Sequence, residues 1–210
     1  MTLLVATRSP GKQREMKRIL NGAGIAVVFP DEAGIPEDPV EETLELGDTF
    51  EANARAKAEY FARRTGLPTL ADDSGLEVYA LGGAPGVRSK RWAAVTAGGR
   101  ALDDANNEEL LRCLAGAPVR RRGARYRCVL VYLPRPSAMP EVFEGNCTGI
   151  ILEEPQGSRG FGYDPLFLSD ELGKSFGEAT EAEKDGVSHR GRALRALIER
   201  LALHGLCRPA

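Results

Sequence analysis

Apolar and polar positions alternate between strand-like runs and helix-like spacings along this chain. Leu3 to Ala6 is an unbroken apolar run of strand length, as expected for a strand buried on both faces. The turn-forming Thr7-Arg8-Ser9-Pro10-Gly11 follows. From about Lys12 to Asn21, Met16, Ile19 and Leu20 then recur on one side of a predicted helix, which Gly22 and Gly24 stop. Ile25 to Phe29 predicts a second strand, and the proline- and acid-rich stretch from Pro30 to Glu45 predicts a surface loop. Asp48-Thr49 opens a helix to about Arg64, closed by Thr65-Gly66-Leu67-Pro68.

Leu67 to Ala71 reads as a short apolar strand ended by a turn at Asp72-Asp73-Ser74-Gly75, and Leu76 to Leu81 as the next strand. Gly82 to Gly86 fits no regular element, and Asp103 or Asp104 caps a helix to about Leu114. Ala124 to Leu133 and Glu141 to Leu152 predict a long antiparallel hairpin joined through Pro134 to Pro140. A last helix starts near Ser188 and runs to about His204, with Leu194, Leu197, Ile198 and Leu201 at helical spacing. Early β-α-β elements and a late hairpin predict an α/β fold with a mixed central sheet flanked by helices. The expected arrangement is one domain over residues 1–210, with two lobes and an active-site cleft between them.

Composition narrows the function. With 210 residues, 42% apolar and 28% charged, the chain has material for a substantial core. A net charge of −2 supplies no basic field for DNA or RNA, and Arg120-Arg121-Arg122 reads as a solvated loop. The four cysteines lack CxxC spacing and a neighbouring histidine, which argues against zinc. They are too scattered for a disulfide framework, and Cys128 and Cys147 fall in predicted strands as small core residues. No stretch resembles a signal peptide or a membrane span, so a cytoplasmic protein is expected.

The candidate chemistry gathers at a few places. Neighbouring strand residues point to opposite faces, so one of Asp72 and Asp73 can reach a cleft while the other braces the chain. A buried carboxylate needs a cation or good donors, for which Lys12, Lys57, Lys184, His189, Arg190 and a divalent ion are candidates. Thr7 to Lys12 sets a strand, a turn and a helix start around one anion-sized spot without being a Walker A loop. Ser188-His189-Arg190 places cations where the helix dipole opposes them, which suits an acceptor-rich ligand. Gly160-Phe161-Gly162-Tyr163-Asp164-Pro165 is either a structural corner or a stacking platform. One carboxylate from Glu41, Glu42 or Glu45, with Asp73, makes a magnesium site completed by phosphate oxygens and waters. Two acids for a metal, several cations for a polyphosphate and an aromatic turn for a base describe a nucleotide site.

These segments resemble the inosine triphosphate pyrophosphatases, hydrolases of non-canonical purine nucleotides (dITP, ITP, XTP). The matching residues are Ala6-Thr7 with Gly11-Lys12; Thr49-Phe50-Glu51 with Asn53 and Lys57; and Ala71 to Val78. Leu81 to Val87, Gly160 to Pro165, and Glu183-Lys184 with Ser188-His189-Arg190-Gly191 complete the set, in order across the chain. The resemblance implies a two-lobed Mg²⁺-dependent homodimer cutting the α–β phosphate bond of a non-canonical purine nucleoside triphosphate to release monophosphate and pyrophosphate. It implies Asp73 as general base, Glu45 and Asp73 at the metal, and Lys12 and Lys57 at the leaving pyrophosphate. Thr7, Arg8, Ser9, Pro10, Gly11, Lys12, Lys57 and Ser74 would hold the phosphates. Phe161, Gly162, Tyr163, Asp164, Lys184, His189 and Arg190 would hold the base and sugar-phosphate.

Three positions depart from the family pattern: Ser9 replaces asparagine, Arg88 replaces tyrosine, and the run Val40 to Glu45 is longer. Counting back from Phe50 favours Glu45 as the metal residue, with Glu42 the alternative. A pyrophosphatase for modified pyrimidine or ordinary triphosphates, and a nucleotide-sensing module without turnover, are the competing readings.

Overall fold

The computed structural model describes residues 2–96 and 98–208. The first apolar run becomes β1, Thr2–Val5, with its last three residues buried. Parallel partners flank it, β2 (Ala26–Val28) on one edge and β3 (Thr69–Val78) on the other. A strand paired on both edges and covered on both faces needs continuous rather than alternating hydrophobicity. With β4 (Gly123–Leu133), β5 (Glu141–Ile151) and β6 (Phe167–Ser169), the strand order is β2-β1-β3-β4-β5-β6. β6 runs antiparallel to β5, which makes the sheet mixed and the fold α/β, as expected.

The chain divides into two compact units. One comprises Met1–Asp73, Cys128–Gly145 and Arg190–Ala210; the other comprises Ser74–Arg127 and Asn146–His189. Three of the divisions fall inside strands β3, β4 and β5, and the fourth at the His189–Arg190 peptide bond.

In the first unit, α1 (Pro10–Gly22) and α5 (His189–Ala202) bring Met16, Leu20, Leu194, Leu197, Ile198 and Leu201 against Leu3, Val5 and Leu70. The intervening residues Leu4, Ala6 and Ala71 join a separate cluster with Ala54, Ala58 and Phe61 of α2 (Phe50–Thr65). Successive strand residues therefore feed cores on opposite faces. The predicted ends of α2 hold: Thr49 Oγ1 accepts from Ala52 N at 3.1 Å, and Gly66 closes the helix at φ 70° with its N–H on Ala62 O. In the second unit, α3 (Gly99–Cys113) packs Leu110, with Leu114 just beyond, against Leu76, Val78, Tyr126, Phe167 and Phe176. The short α4 (Glu181–Val187) starts with a capping box between Thr180 and Glu183.

Several expectations need correction. No turn forms at Asp72-Asp73-Ser74-Gly75; β3 runs straight through, because the apolar residues on both sides are buried in their own cores and hold the backbone extended. The 30–45 stretch is not all loop: Pro39–Glu45 forms a 3-10 helix whose start is capped by Asp38 Oδ1 accepting from Val40 N at 3.0 Å. α3 begins a turn earlier than the acidic pair suggested, which places Asp103 inside it. Arg122 is not solvated. It is buried and donates to the carbonyls of Ile151 (2.7 Å), Leu114 (3.0 Å) and Leu152 (2.7 Å). The last helix does start near Ser188 as expected, with α5 at His189–Ala202, and the Ser188 N–H in addition closes α4 on Lys184 O at 2.8 Å. Among the described residues, no helix is long and apolar enough to cross a membrane.

Candidate functional site

Asp72 and Asp73 sit in the middle of β3, so adjacency on a strand sends their carboxylates to different partners. Asp72 Oδ2 lies 3.0 Å from Lys12 Nζ of α1 and 3.3 Å from Arg190 Nη2 at the start of α5. Arg190 also pairs with Glu15 at 2.5 Å, one turn along α1 from Lys12. All but Lys12 of this set are buried. Burial alone would raise the Asp72 pKa; Lys12, Arg190 and Lys57 outweigh it and hold the carboxyl well below its ordinary range. Burial likewise disfavours the Arg190 cation, but Glu15 and Asp72 overcome that and raise its pKa. Cys128, buried beside the same charges, has its thiol pushed up to about 12, which makes it inert packing.

Asp73 has a different environment. Asn53 of α2 donates from Nδ2 to Asp73 Oδ2 at 2.8 Å. The other end of that amide, Oδ1, accepts from Gly47 N at 2.8 Å, and a Cβ on residue 47 would lie 2.7 Å from it and displace the amide. Lys57, one turn further along α2, reaches Glu45 at 2.7 Å, Asp73 at 4.0 Å and the Asp72 carbonyl. Burial raises the Asp73 pKa; Lys57, Lys12 and the Asn53 donor offset this only in part. Burial would lower the Lys57 pKa, but Glu45, Asp73 and Asp72 together raise it.

Glu45 and Asp73 both face the Lys57 ammonium, at 2.7 and 4.0 Å. Among the described residues no group of three or more His, Cys, Asp or Glu is placed to hold a metal. Two carboxylates suit magnesium, which takes one or two from the protein and the rest from phosphates and water. The donor set therefore fits the ion implied by the sequence, with Glu45 rather than Glu42 at the lysine.

In the Thr7 to Lys12 segment, Ser9 N donates to Thr7 Oγ1 at 3.2 Å and Gln13 Nε2 to Thr7 O at 3.0 Å. Pro10 starts α1, where its missing N–H costs nothing, and Gly11 is buried behind it. The Arg8 side chain turns away from this loop. Its guanidinium donates to Glu41 at 2.6 and 2.7 Å, to the carbonyls of Ile35 (3.2 Å) and Pro36 (3.1 Å), and to Asp31. That clamp holds the 3-10 helix ending at Glu45, and it raises the Arg8 pKa, chiefly through the Glu41 hydrogen bond.

The second unit holds the remaining predicted residues. Asp164 accepts from Phe161 N at 2.8 Å and from Lys184 Nζ at 2.5 Å, which folds Gly160 to Asp164 into a closed turn. A Cβ at Gly160 would lie 2.0 Å from Asp164 Oδ2. The Lys184 ammonium also sits 5.0 Å from the Phe161 ring centre. Tyr163 is buried, with its hydroxyl on Ser89 O at 2.8 Å. His189 stacks on Tyr126 with ring centres 4.6 Å apart and planes 7° from parallel. Ser74 is half-buried on β3, immediately after Asp73.

Asn53, Glu15 and Glu41 were not singled out for these roles. The sequence signals are an asparagine in the first turn of α2 that already lies in a family-matching segment, a glutamate one turn after Lys12, and an arginine in a turn otherwise made of small residues.

The fold and its charged centre define an α/β protein in which a carboxylate pair on one strand is matched to lysines from two helices. The Ham1 family model matches residues 3–200, and the chain belongs to that family. It is similar to the dITP/XTP pyrophosphatase of Anaeromyxobacter sp. (strain Fw109-5), with 44% identity covering 98% of this chain and 100% of the relative. A dITP/XTP pyrophosphatase of Thermus thermophilus is 48% identical, covering 95% and 91%. A HAM1 protein from Coxiella burnetii superposes with a TM-score of 0.82 at 35% identity, covering 97% of this chain and 99% of that one. The Staphylococcus aureus Ham1 protein gives 0.81 at 33%, covering 97% and 100%.

Proposed function

We propose that this chain is a nucleoside triphosphate pyrophosphatase that hydrolyses dITP, ITP and XTP or dXTP to the monophosphate and pyrophosphate with Mg²⁺. The observation that carries the reading is Lys57, held within 2.7 Å of Glu45 and 4.0 Å of Asp73. Glu45 and Asp73 would hold the ion, which when bound withdraws charge from the phosphates at the α-phosphorus. Asp73 takes the proton of the attacking water, a task suited to a carboxylate whose pKa burial has raised. Lys12 and Lys57 offset charge on the departing pyrophosphate, and the Thr7 to Lys12 backbone with Ser74 orients it. Asp72 stays an anion and keeps Lys12 in place.

Phe161 provides the stacking face for the base, with Gly162, Tyr163, Asp164 and Lys184 fixing it. Inosine and xanthine carry an acceptor at the purine 6 position, where adenine carries a donor. Donors at the His189–Arg190 step match the acceptor, whereas adenine would present a donor to them. The names of the relatives support this substrate class. A homodimer in the cytoplasm belongs to the same proposal and rests on the family resemblance.

The test is product analysis by mass spectrometry after incubation with ITP and Mg²⁺, alongside XTP, GTP and ATP at equal concentration. Monophosphate plus pyrophosphate, formed fastest from ITP and XTP, is the expected result. Diphosphate plus orthophosphate would place cleavage at the wrong bond, and equal rates for all four would remove base discrimination.

A further inference from the structure

The aromatic turn is gripped from outside by two side chains one turn apart on α3. Asp103 Oδ2 accepts from Gly162 N at 2.8 Å, and Asn107 Nδ2 donates to Gly162 O at 3.0 Å. Residues at i and i+4 share a helix face, so a single rigid element holds both polar groups of this one glycine. Gly162 has φ 63°, and a Cβ there would meet nothing within 4 Å. Glycine is thus demanded by backbone conformation rather than by space, and its freedom must be removed by bonds. Asn107 is itself buried. On either side, Phe161 N is fixed by Asp164 and the Tyr163 hydroxyl by Ser89 O.

We infer that Asp103 and Asn107 are positioning residues that set the orientation of the Phe161 ring toward a purine base. This rests on the reading of Phe161 as the stacking face. Neither residue belongs to the phosphate-handling set of Lys12, Lys57 and Asp73. Their loss should therefore weaken nucleotide capture without slowing the chemical step.

The experiment measures kcat and KM for ITP, and the inhibition constant of pyrophosphate, in Asp103→Ala, Asp103→Asn, Asn107→Asp and Phe161→Ala. Asp103→Ala and Asn107→Asp should each raise KM roughly three- to tenfold, the worth of one hydrogen bond, with kcat and pyrophosphate inhibition within about twofold of the parent. Asp103→Asn keeps an acceptor and should recover most of the loss. If Asp103→Ala does not fold, the near-isosteric Asn107→Asp, which turns a donor into an acceptor facing Gly162 O, carries the same test. An unchanged KM in these variants while Phe161→Ala raises it would overturn the grip and leave the stacking face standing. An unchanged KM in Phe161→Ala would overturn the stacking face and the inference with it.

Discussion

Arg190 Nη2 lies 3.3 Å from Asp72 Oδ2, while the residue before it, His189, stacks on Tyr126 with ring centres 4.6 Å apart. One peptide bond thus separates a side chain committed to the carboxylate centre from one committed to an aromatic cluster. The sequence paired His189 and Arg190 as two donors to a base. The structure gives Arg190 the further task of closing a buried ion network with Glu15, Asp72 and Lys12.

The Asp72–Arg190 pair makes stability depend on acid. Asp72 has a folded-state pKa below its unfolded value of about 3.9, so its contribution is complete above that value and fades as pH falls through the folded pKa. Asp72→Asn leaves Arg190 and Lys12 short of a counter-charge and should cost about 3–5 kcal/mol at pH 7. Urea unfolding of both proteins between pH 7 and pH 3 should show the gap closing toward the acid end. A gap that does not change with pH would mean that Asp72 is not the titrating partner.

Asp73→Asn should lower kcat by about 10²- to 10⁴-fold while ITP affinity stays within a few-fold, because the amide oxygen can still accept from Asn53. The Asp73 pKa is raised in the fold, so its charged form is the disfavoured one. The same variant should therefore be more stable than the parent at pH 7, and lose that advantage at pH values where Asp73 is already protonated. Stopped-flow turnover, equilibrium binding and thermal unfolding check the three parts, and near-normal turnover would rule out Asp73 as the base.

Arg8→Ala should loosen the 3-10 helix Pro39–Glu45, which Arg8 holds through Glu41 and the carbonyls of Ile35 and Pro36. Amide exchange over 40–45 should accelerate roughly tenfold, while exchange in α5 stays as it was. The Mg²⁺ concentration for half-maximal turnover should rise in parallel, because Glu45 ends that helix. Unchanged exchange with a higher KM for ITP would instead make Arg8 a direct phosphate ligand.

Arg122→Leu removes the donor shared by the carbonyls of Leu114, Ile151 and Leu152. The Leu114 carbonyl keeps Ala117 N at 3.0 Å, but losing the Arg122 bonds to the Ile151 and Leu152 carbonyls should cost about 2–4 kcal/mol, read as a lower urea midpoint at unchanged slope. The kcat of the folded protein should not move, since Arg122 belongs to no part of the candidate site.

Local pattern was enough to place most elements. Leu3 to Ala6 announced a buried strand because nothing polar interrupts it, and Thr49 and Gly66 marked both ends of α2 because capping is decided within a few residues. It failed where long-range burial overrides local preference. Ser74-Gly75 is turn chemistry in isolation, yet Leu70-Ala71 before it and Leu76 and Val78 after it are each anchored in a core and pull it straight. Arg122, in a run of three arginines, carried no local sign that three carbonyls would surround it.

The sequence by itself determined the α/β class, the residue types of a nucleotide site and the family, because hydrophobic period, capping and spaced motifs are properties of neighbours along the chain. Only the tertiary structure decided how each charge is used. It sent Asp72 to Lys12 and Arg190 but Asp73 to Asn53 and Lys57, and it turned Arg8 onto Glu41. Partners as much as 118 residues apart are chosen by which strand face and which helix turn come together, and chain spacing carries no record of that choice.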